Sequence, residues 1–263
     1  MSVTVHAEKI NVHSNVRESV LEEVAMETPV NLFVNSEYVI TLLSTPELQK
    51  ELALGWFFDE GVLKSFDEVE DIVVNEDRVN VITEHPIEKE RLQVVSVSRL
   101  LTTACGLSAS KFMRVINEAG KKLVESDYKV KATDIIKMIS MLERGKLHEL
   151  TRGVHVAALF EDGKLVALAE DIGRHNTIDK IIGIGILSKT NFSNAVVVSS
   201  GRQPADMVLK AARMGIPLVV SLAGPIRSGI IAAENTGVTL VCFVERRQIK
   251  IYSHPQRIRV NDA

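Results

Sequence analysis

The sequence predicts an α/β protein, a layered sheet with helices, preceded by a small α+β unit. Beyond residue 150, short β-branched runs alternate with helical stretches of about ten residues, the pattern of a layered sheet. Before residue 100, strand-like runs surround one strongly apolar helix. The length of 263 residues lies at the upper edge of a single core and favours one larger domain with a smaller one. We therefore place a small α+β domain at residues 1–100 and an α/β domain at residues 101–263.

In chain order, residues 29–40 and 71–82 read as strands, the second turning at Asn75-Glu76-Asp77. Residues 45–59 read as a helix with Thr45 as N-cap, Pro46 in the first turn, and Leu48, Leu52, Leu54, Trp56, Phe57 and Phe58 on an apolar face. Helical periodicity covers 108–125 and 131–149. Residues 154–160 and 164–169 flank an Asp162-Gly163 turn and form a hairpin. Residues 176–187, 204–214 and 227–235 read as helices, and 195–199, 217–222, 238–244 and 248–252 as strands.

Of the residues, 46% are hydrophobic and 25% charged, the composition of a soluble globular protein. A net charge of −3 gives no bulk attraction to nucleic acid, so any anion site must be built locally. The first thirty residues hold no basic start followed by an apolar core, and no apolar run reaches membrane-spanning length. Two cysteines cannot make a zinc site alone, and a cytoplasmic, reducing setting fits them. Cys242, inside an apolar strand-like run, reads as an inert core thiol.

Cys105 is different. It stands in Thr102-Thr103-Ala104-Cys105-Gly106-Leu107-Ser108, a small polar loop just before a helix-like run. The free N–H groups of a helix start favour the thiolate, the reactive form of cysteine. From this segment alone, a reactive thiol and an ordinary small residue in a turn are equally open. Two later loops share one design: Ser199-Ser200-Gly201-Arg202-Gln203-Pro204 and Ser221-Leu222-Ala223-Gly224-Pro225-Ile226-Arg227 each join a strand to a helix through glycine and arginine. Such loops, at the carboxyl ends of strands in an open α/β sheet, suit phosphate or carboxylate. Arginines there can also be merely solvated, but two such loops together favour an anionic ligand.

The segment from Glu170 to Lys180 concentrates Glu170, Asp171, Arg174, His175, Asn176, Asp179 and Lys180. Asn176 can cap a helix, Asp179 fits its first turn and Asp171 can pair with Arg174. Equally, His175 can serve as a general base. His155 can face the same crevice or simply pack in its strand. A zinc deaminase is excluded: His6-Ala7-Glu8 imitates one metal-binding motif within flexible N-terminal chain, and the Pro-Cys-x-x-Cys partner is missing. No nucleophile elbow, dinucleotide fingerprint or P-loop occurs.

Taken together, the motifs resemble the FdhD-type formate dehydrogenase accessory proteins. The matching pieces are Leu52-Ala53-Leu54-Gly55-Trp56 with Glu60-Gly61-Val62, Cys105-Gly106, Gly153-Val154-His155, and Glu170 to Asn176 with Asp179-Lys180. Ser200-Gly201-Arg202, Met207 with Lys210, Gly215-Ile216-Pro217 and the ending from Ile251 to Ile258 follow in order. The resemblance implies a sulfurtransferase that carries sulfur from a cysteine desulfurase as a persulfide on Cys105. The sulfur goes to the molybdenum of a bis(molybdopterin guanine dinucleotide) cofactor destined for formate dehydrogenase. It further implies a cytidine deaminase-like larger domain without zinc and a homodimer, with neither nucleic acid nor membrane as partner. A cofactor-binding segment maps onto Phe243, Val244, Glu245, Arg246, Arg247 and Gln248, with Arg174 and Arg202 beside it and a guanine nucleotide as a mimic of the cofactor. Read without the resemblance, Arg246 and Arg247 make an ordinary basic turn between strands.

The chain departs from the family pattern at Ser108 and Ala109, which replace a second Cys-Gly, so Cys105 must carry sulfur alone. Gly224-Pro225-Ile226 stands where Ala-Pro-Thr is usual, and Arg152 where glycine is common. Two further readings remain: a cofactor-binding chaperone in which Cys105 is incidental, and an enzyme acting on another nucleotide with His175 as base.

Overall fold

The computed structural model describes residues 1–92 and 124–260. Cys105, the boundary read between residues 100 and 101, and nearly all of the helix expected over 108–125 lie outside the described residues. Val124 and Glu125, at the end of that expected helix, are not helical.

The chain opens with strands β1 (Ser2–Asn11) and β2 (Val16–Ala25), an antiparallel two-stranded ribbon. His6-Ala7-Glu8, expected as flexible chain, lies within β1 opposite Leu21-Val20-Ser19. Then come β3 (Thr28–Val34) and β4 (Glu37–Ser44), helix α1 (Gln49–Asp59), and β5 (Val69–Asn75) with β6 (Arg78–Thr83). These four strands form one sheet in the order β4-β3-β6-β5. The single strand expected over 29–40 is a hairpin, because Asn35 and Ser36 both take positive φ (49° and 67°), the geometry of a two-residue turn that matches strand twist.

Helix α1 starts later than expected. Thr45 does not cap it: its hydroxyl points to Asp171 and the Glu170 carbonyl, and the N-cap is Leu48, in the left-handed region at φ 57°. Nor does α1 have one apolar face. Leu52, Ala53, Leu54, Gly55, Trp56, Phe57 and Asp59 are all buried, because the helix lies in the middle of the molecule.

The helix expected over 131–149 is broken in two: β7 (Val130–Lys131) leads into α2 (Ala132–Ser140), then a 3-10 turn over Met141–Arg144, Gly145, and α3 (Lys146–Thr151). A continuous helix fails at Gly145, which Glu170 approaches so closely that a side chain there would overlap its carboxylate. The hairpin of β8 (His155–Glu161) and β9 (Lys164–Asp171) follows as expected. After it come α4 (Arg174–Leu187), β10 (Ala195–Ser199), α5 (Ala205–Arg213), β11 (Leu218–Ser221), α6 (Arg227–Thr236) and β12 (Thr239–Cys242). Short strands β13 (Lys250–Ile251) and β14 (Ile258–Arg259) end the described chain.

The main sheet has six strands in the order β13-β12-β11-β10-β8-β9. β10, β11 and β12 run parallel, and β8 and β13 antiparallel to their neighbours. The central strands β8, β10, β11 and β12 are buried on both faces, which explains their unbroken apolar runs in the sequence. Val197 and Leu240 join one core cluster with Leu32, Leu54 and Ile182, which also takes in the four-stranded sheet. Val196, Val198 and Val241 join another beneath Ile135 and Met138 of α2.

Helices α1 and α4 touch backbone to backbone. A Cβ on Gly55 would fall on the Asp179 carbonyl oxygen, and one on Gly183 on the Glu51 carbonyl oxygen. This contact ties the first sheet to the helix whose first residue is Arg174.

Candidate functional site

Parallel strands place their carboxyl ends, and the loops that follow, on one edge of a sheet. Here β10 and β11 end in register at Ser199 and Ser221, and β12 ends beside them at Cys242. β8 runs the other way and begins at the same edge with His155, paired with Asp171 at the end of β9. Arg174, His175, Arg202, Arg227 and the Phe243–Gln248 turn therefore converge on one edge of the sheet.

The two loops of similar design are bonded to each other. Ser221 Oγ donates to the Gly201 carbonyl (2.7 Å), and the Gln203 amide nitrogen of the side chain donates to the same oxygen (2.9 Å). Gln203 N donates to the Gly224 carbonyl (3.2 Å) and Ile226 N to the Gln203 carbonyl (3.0 Å). Ser200 Oγ accepts from Val156 N (3.0 Å) and lies 3.3 Å from His155 Nδ1. Gly201 lets the loop lie close to α4: a Cβ there would sit 3.0 Å from Arg174 Cβ, tighter than an ordinary contact.

Arg174 does not pair with Asp171, as the sequence had suggested. Its Nε is buried and has no hydrogen-bond partner among the described residues. A buried, unsatisfied guanidinium N–H is costly unless an anion completes it. Arg202 is exposed nearby. His155 is half-buried, and burial, then the charges of Arg174, His148, His175 and Arg202, hold its imidazole below the usual range. Arg174 and Arg202 thus bring two guanidinium groups to this crevice in a chain of negative net charge.

His175 Nε2 lies 2.8 Å from Asp206 Oδ2, spanning the starts of α4 and α5. Burial pushes the Asp206 carboxyl up, but His175, the Met207 amide and Lys210 outweigh it and hold the group below its ordinary value. Sequence reasoning missed Asp206, because nothing local shows that two residues thirty-one positions apart will face each other.

The polar segment from Glu170 to Lys180 divides by direction. Asp171 and Lys180 form an ion pair at 2.6 Å, both fully buried. Asp171 also accepts from Ser44 Oγ, Thr45 N, Gly173 N and Asn176 Nδ2. Asn176 is therefore a tie to Asp171 and the Leu43 carbonyl rather than a helix cap; the cap position is Gly173. Glu170 accepts from the backbone amides of Leu147 and His148 at the start of α3. Asp179 meets Lys210 Nζ at 2.7 Å, as does Asp59 of α1. Only Arg174 and His175 of this segment face the crevice.

The Phe243–Gln248 segment is a turn after β12. Phe243 takes φ 52°, which turns its ring onto Gly224, with Lys250 Nζ 4.9 Å from the ring centre. Val244 is buried, Gln248 donates to Glu245, and Arg246 and Arg247 are exposed. A cavity of about 380 Å³ opens beside Ser200 and Leu222, lined also by His148, Arg152 and Glu149.

Cys242 is fully buried, and burial pushes its thiol up to about 12, so it stays protonated and inert. Among the described residues, no group of three or more His, Cys, Asp or Glu is placed to hold a metal, and no helix is long and apolar enough to cross a membrane.

The model of the FdhD/NarQ family matches residues 25–259. A sulfur carrier protein FdhD from Shouchella clausii is 31% identical over 243 residues, 91% of each chain. Another from Thermoplasma acidophilum is 34% identical over 247 residues, 90% of this chain and 87% of that one. A crystal structure from Desulfotalea psychrophila, described as a formate dehydrogenase accessory protein, superposes with a TM-score of 0.79 at 28% identity, covering 98% of this chain and 99% of that one. The match runs through the strand ends, the Glu170–Lys180 segment and the Lys210 cluster alike, and the chain belongs to the FdhD/NarQ family.

Proposed function

We propose that the protein is a cytoplasmic sulfur carrier for the maturation of formate dehydrogenase. Cys105 takes sulfur from a cysteine desulfurase: its thiolate attacks the terminal sulfur of the donor persulfide, the new S–S bond forms, and the donor thiolate leaves. The terminal sulfur would then pass to reduced molybdenum of a bis(molybdopterin guanine dinucleotide) cofactor, the cargo, bound at the strand ends: the Mo–S bond forms, the S–S bond breaks, the Cys105 thiolate leaves, and the two electrons that turn the sulfur into sulfide come from the molybdenum. Two copies of the chain work together. Support for the sulfur-carrying role comes from the relatives, which are described as sulfur carrier proteins.

The observation that carries the cofactor reading is Arg174, whose buried Nε lacks a hydrogen-bond partner among the described residues, with Arg202 nearby. Arg174 and Arg202 would hold pyrophosphate oxygens, and Arg246 and Arg247 would reach them from the exposed turn. Phe243 would lie against the ring system of the nucleotide. The order of the larger sheet, with the β8–β9 hairpin beside three parallel strands, supports a deaminase-like domain. The His175–Asp206 bond joins the helix starts, where no metal-ligand set is present among the described residues.

Intact-protein mass spectrometry after incubation with a desulfurase and cysteine tests the sulfur step. A gain of one sulfur, about 32 Da and reversed by reductant, is expected in wild type and in Cys242→Ala and absent in Cys105→Ala. No gain in wild type, with the desulfurase turning over, would favour a cofactor-binding chaperone, the reading that Ser108 in place of a second loop cysteine keeps open. For the crevice, Arg174→Ala is expected to weaken guanosine diphosphate binding by about 10- to 100-fold in calorimetry, the loss of one charged hydrogen bond or two. Unchanged affinity would remove Arg174 from the site.

A further inference from the structure

We propose that His155 is a specificity-determining residue, whose ring Nε2–H donates to the carbonyl oxygen of a lactam heterocycle such as guanine. The inference rests on the nucleotide reading of the crevice above and names the atom that selects the base.

Side chains alternate between the two faces of a strand. Val156 and Ala158 join the core cluster beneath α2, whereas Ala157 and Leu159 join the cluster that holds residues of α4 and α5. His155 therefore lies on the α4 side of the sheet, at the end of β8 where the crevice opens.

One bond fixes its proton. Ser200 Oγ already accepts from Val156 N, and its hydroxyl has a single hydrogen to give. Among the described residues, His155 Nδ1, 3.3 Å away, is the acceptor placed to take it. A neutral ring whose Nδ1 accepts carries its own proton on Nε2. Burial, then the charges of Arg174, His148, His175 and Arg202, oppose a second proton. Nε2 has no partner among the described residues and is not sealed from solvent. The crevice thus holds a donor without charge beside guanidinium groups that already suit phosphate.

Neighbouring uncharged side chains are engaged within the protein. Ser199 Oγ accepts from Gly201 N, Ser221 and Gln203 donate to the Gly201 carbonyl, and Asn176 ties Asp171 to the Leu43 carbonyl. Phe243 offers a ring face, but stacking accepts every base alike. Choosing between bases takes a hydrogen bond to an edge, and guanine presents the O6 acceptor where adenine presents the N6 amino donor. Against adenine, the Nε2–H meets another donor and both are left unpaired.

Calorimetry on the full chain with guanosine, inosine and adenosine diphosphates tests this. The three share ribose and phosphates, so their ratios isolate the base from the phosphate site; inosine keeps the carbonyl and lacks the exocyclic amine. The guanosine and inosine forms should bind alike, and adenosine diphosphate about 10- to 100-fold more weakly. His155→Ala should bring that ratio close to one, and His155→Gln, whose amide can donate, should keep part of it. Ser200→Ala should lower it, because nothing then places the ring's proton. A wild type that binds no guanosine diphosphate would overturn the nucleotide reading and this assignment together. Equal binding of guanosine and adenosine diphosphates, or a wild-type ratio in His155→Ala, would overturn the role of His155 and leave the phosphate site in place. Inosine diphosphate as weak as the adenosine form would do the same, by moving selection to the amine of guanine.

Discussion

Lys210→Met is expected to destabilise the protein by about 3–5 kcal/mol, enough to leave a substantial part of a marginally stable chain unfolded at physiological temperature. Lys210 Nζ lies 2.7 Å from both Asp59 and Asp179, and 3.5 Å from Glu60; the two aspartates are 0% and 1% exposed. Methionine fills the space of the lysine stem but leaves the carboxylates without their cation. Even with Lys210 in place, burial and then the charge of Asp179 push the Asp59 carboxyl well above its ordinary value.

The sign of the pH dependence follows. A carboxyl whose folded pKa is raised binds its proton more tightly in the folded state, so stability falls as pH rises from the unfolded value towards the folded one. In Lys210→Met the Asp59 carboxyl loses its cation and is pushed further in that direction. Its deficit relative to wild type should therefore be smaller at pH 5 than at pH 8, as read from urea midpoints. An equal deficit at both values would mean that the variant suffers from packing alone. Adding Asp59→Leu and Asp179→Leu should recover part of the loss, because an apolar replacement of a whole buried cluster avoids the desolvation that stranded charges suffer.

Gly183→Ala is the second large effect, about 3 kcal/mol or more, at the upper end for overpacking. Alanine is the better helix former by about 1 kcal/mol, so propensity alone predicts stabilisation. The contact reverses the sign. The new Cβ would overlap the Glu51 carbonyl of α1, and backbone held in a helix cannot step aside without parting α1 from α4 and opening the core between Leu52, Phe57 and Ile182. Gly185→Ala, two residues on, would meet only the side chains of Leu159 and Phe192, which can shift, and should cost clearly less. Thermal melts of the two variants give the ranking; a Gly183→Ala protein as stable as wild type would refute the backbone contact. Because α4 starts at Arg174, partial parting of the helices should also weaken guanine nucleotide binding in any Gly183→Ala protein that still folds.

Both effects concern residues that the sequence made look functional or left plain. The density of charge from Glu170 to Lys180 was legible, and so was its importance to the family. Its division was not. Asp171, Asn176, Asp179 and Lys180 look inward and hold α4 to α1, β4 and α5, while Arg174 and His175 alone look into the crevice. Which way a polar side chain of a helix points depends on what the helix packs against, and α1 lies more than a hundred residues earlier. Thr45 shows the same limit. Its type and place suit an N-cap, but the buried Asp171 carboxylate offers a stronger partner, and the helix begins four residues later.

What the sequence by itself determined was local and periodic. The parallel strands at 195–199 and 218–221, the hairpin at 155–171 and the inert Cys242 follow from β-branched runs and turn chemistry, whose causes lie within a few residues. The family, too, was legible, because its motifs are read residue by residue. The tertiary structure decided the rest: the fit of Gly183 against Glu51, the pairing of His175 with Asp206, and the Nε of Arg174, without a partner among the described residues, over Gly201. Each depends on two segments distant in the chain meeting at one point, and no property of either segment alone encodes that meeting.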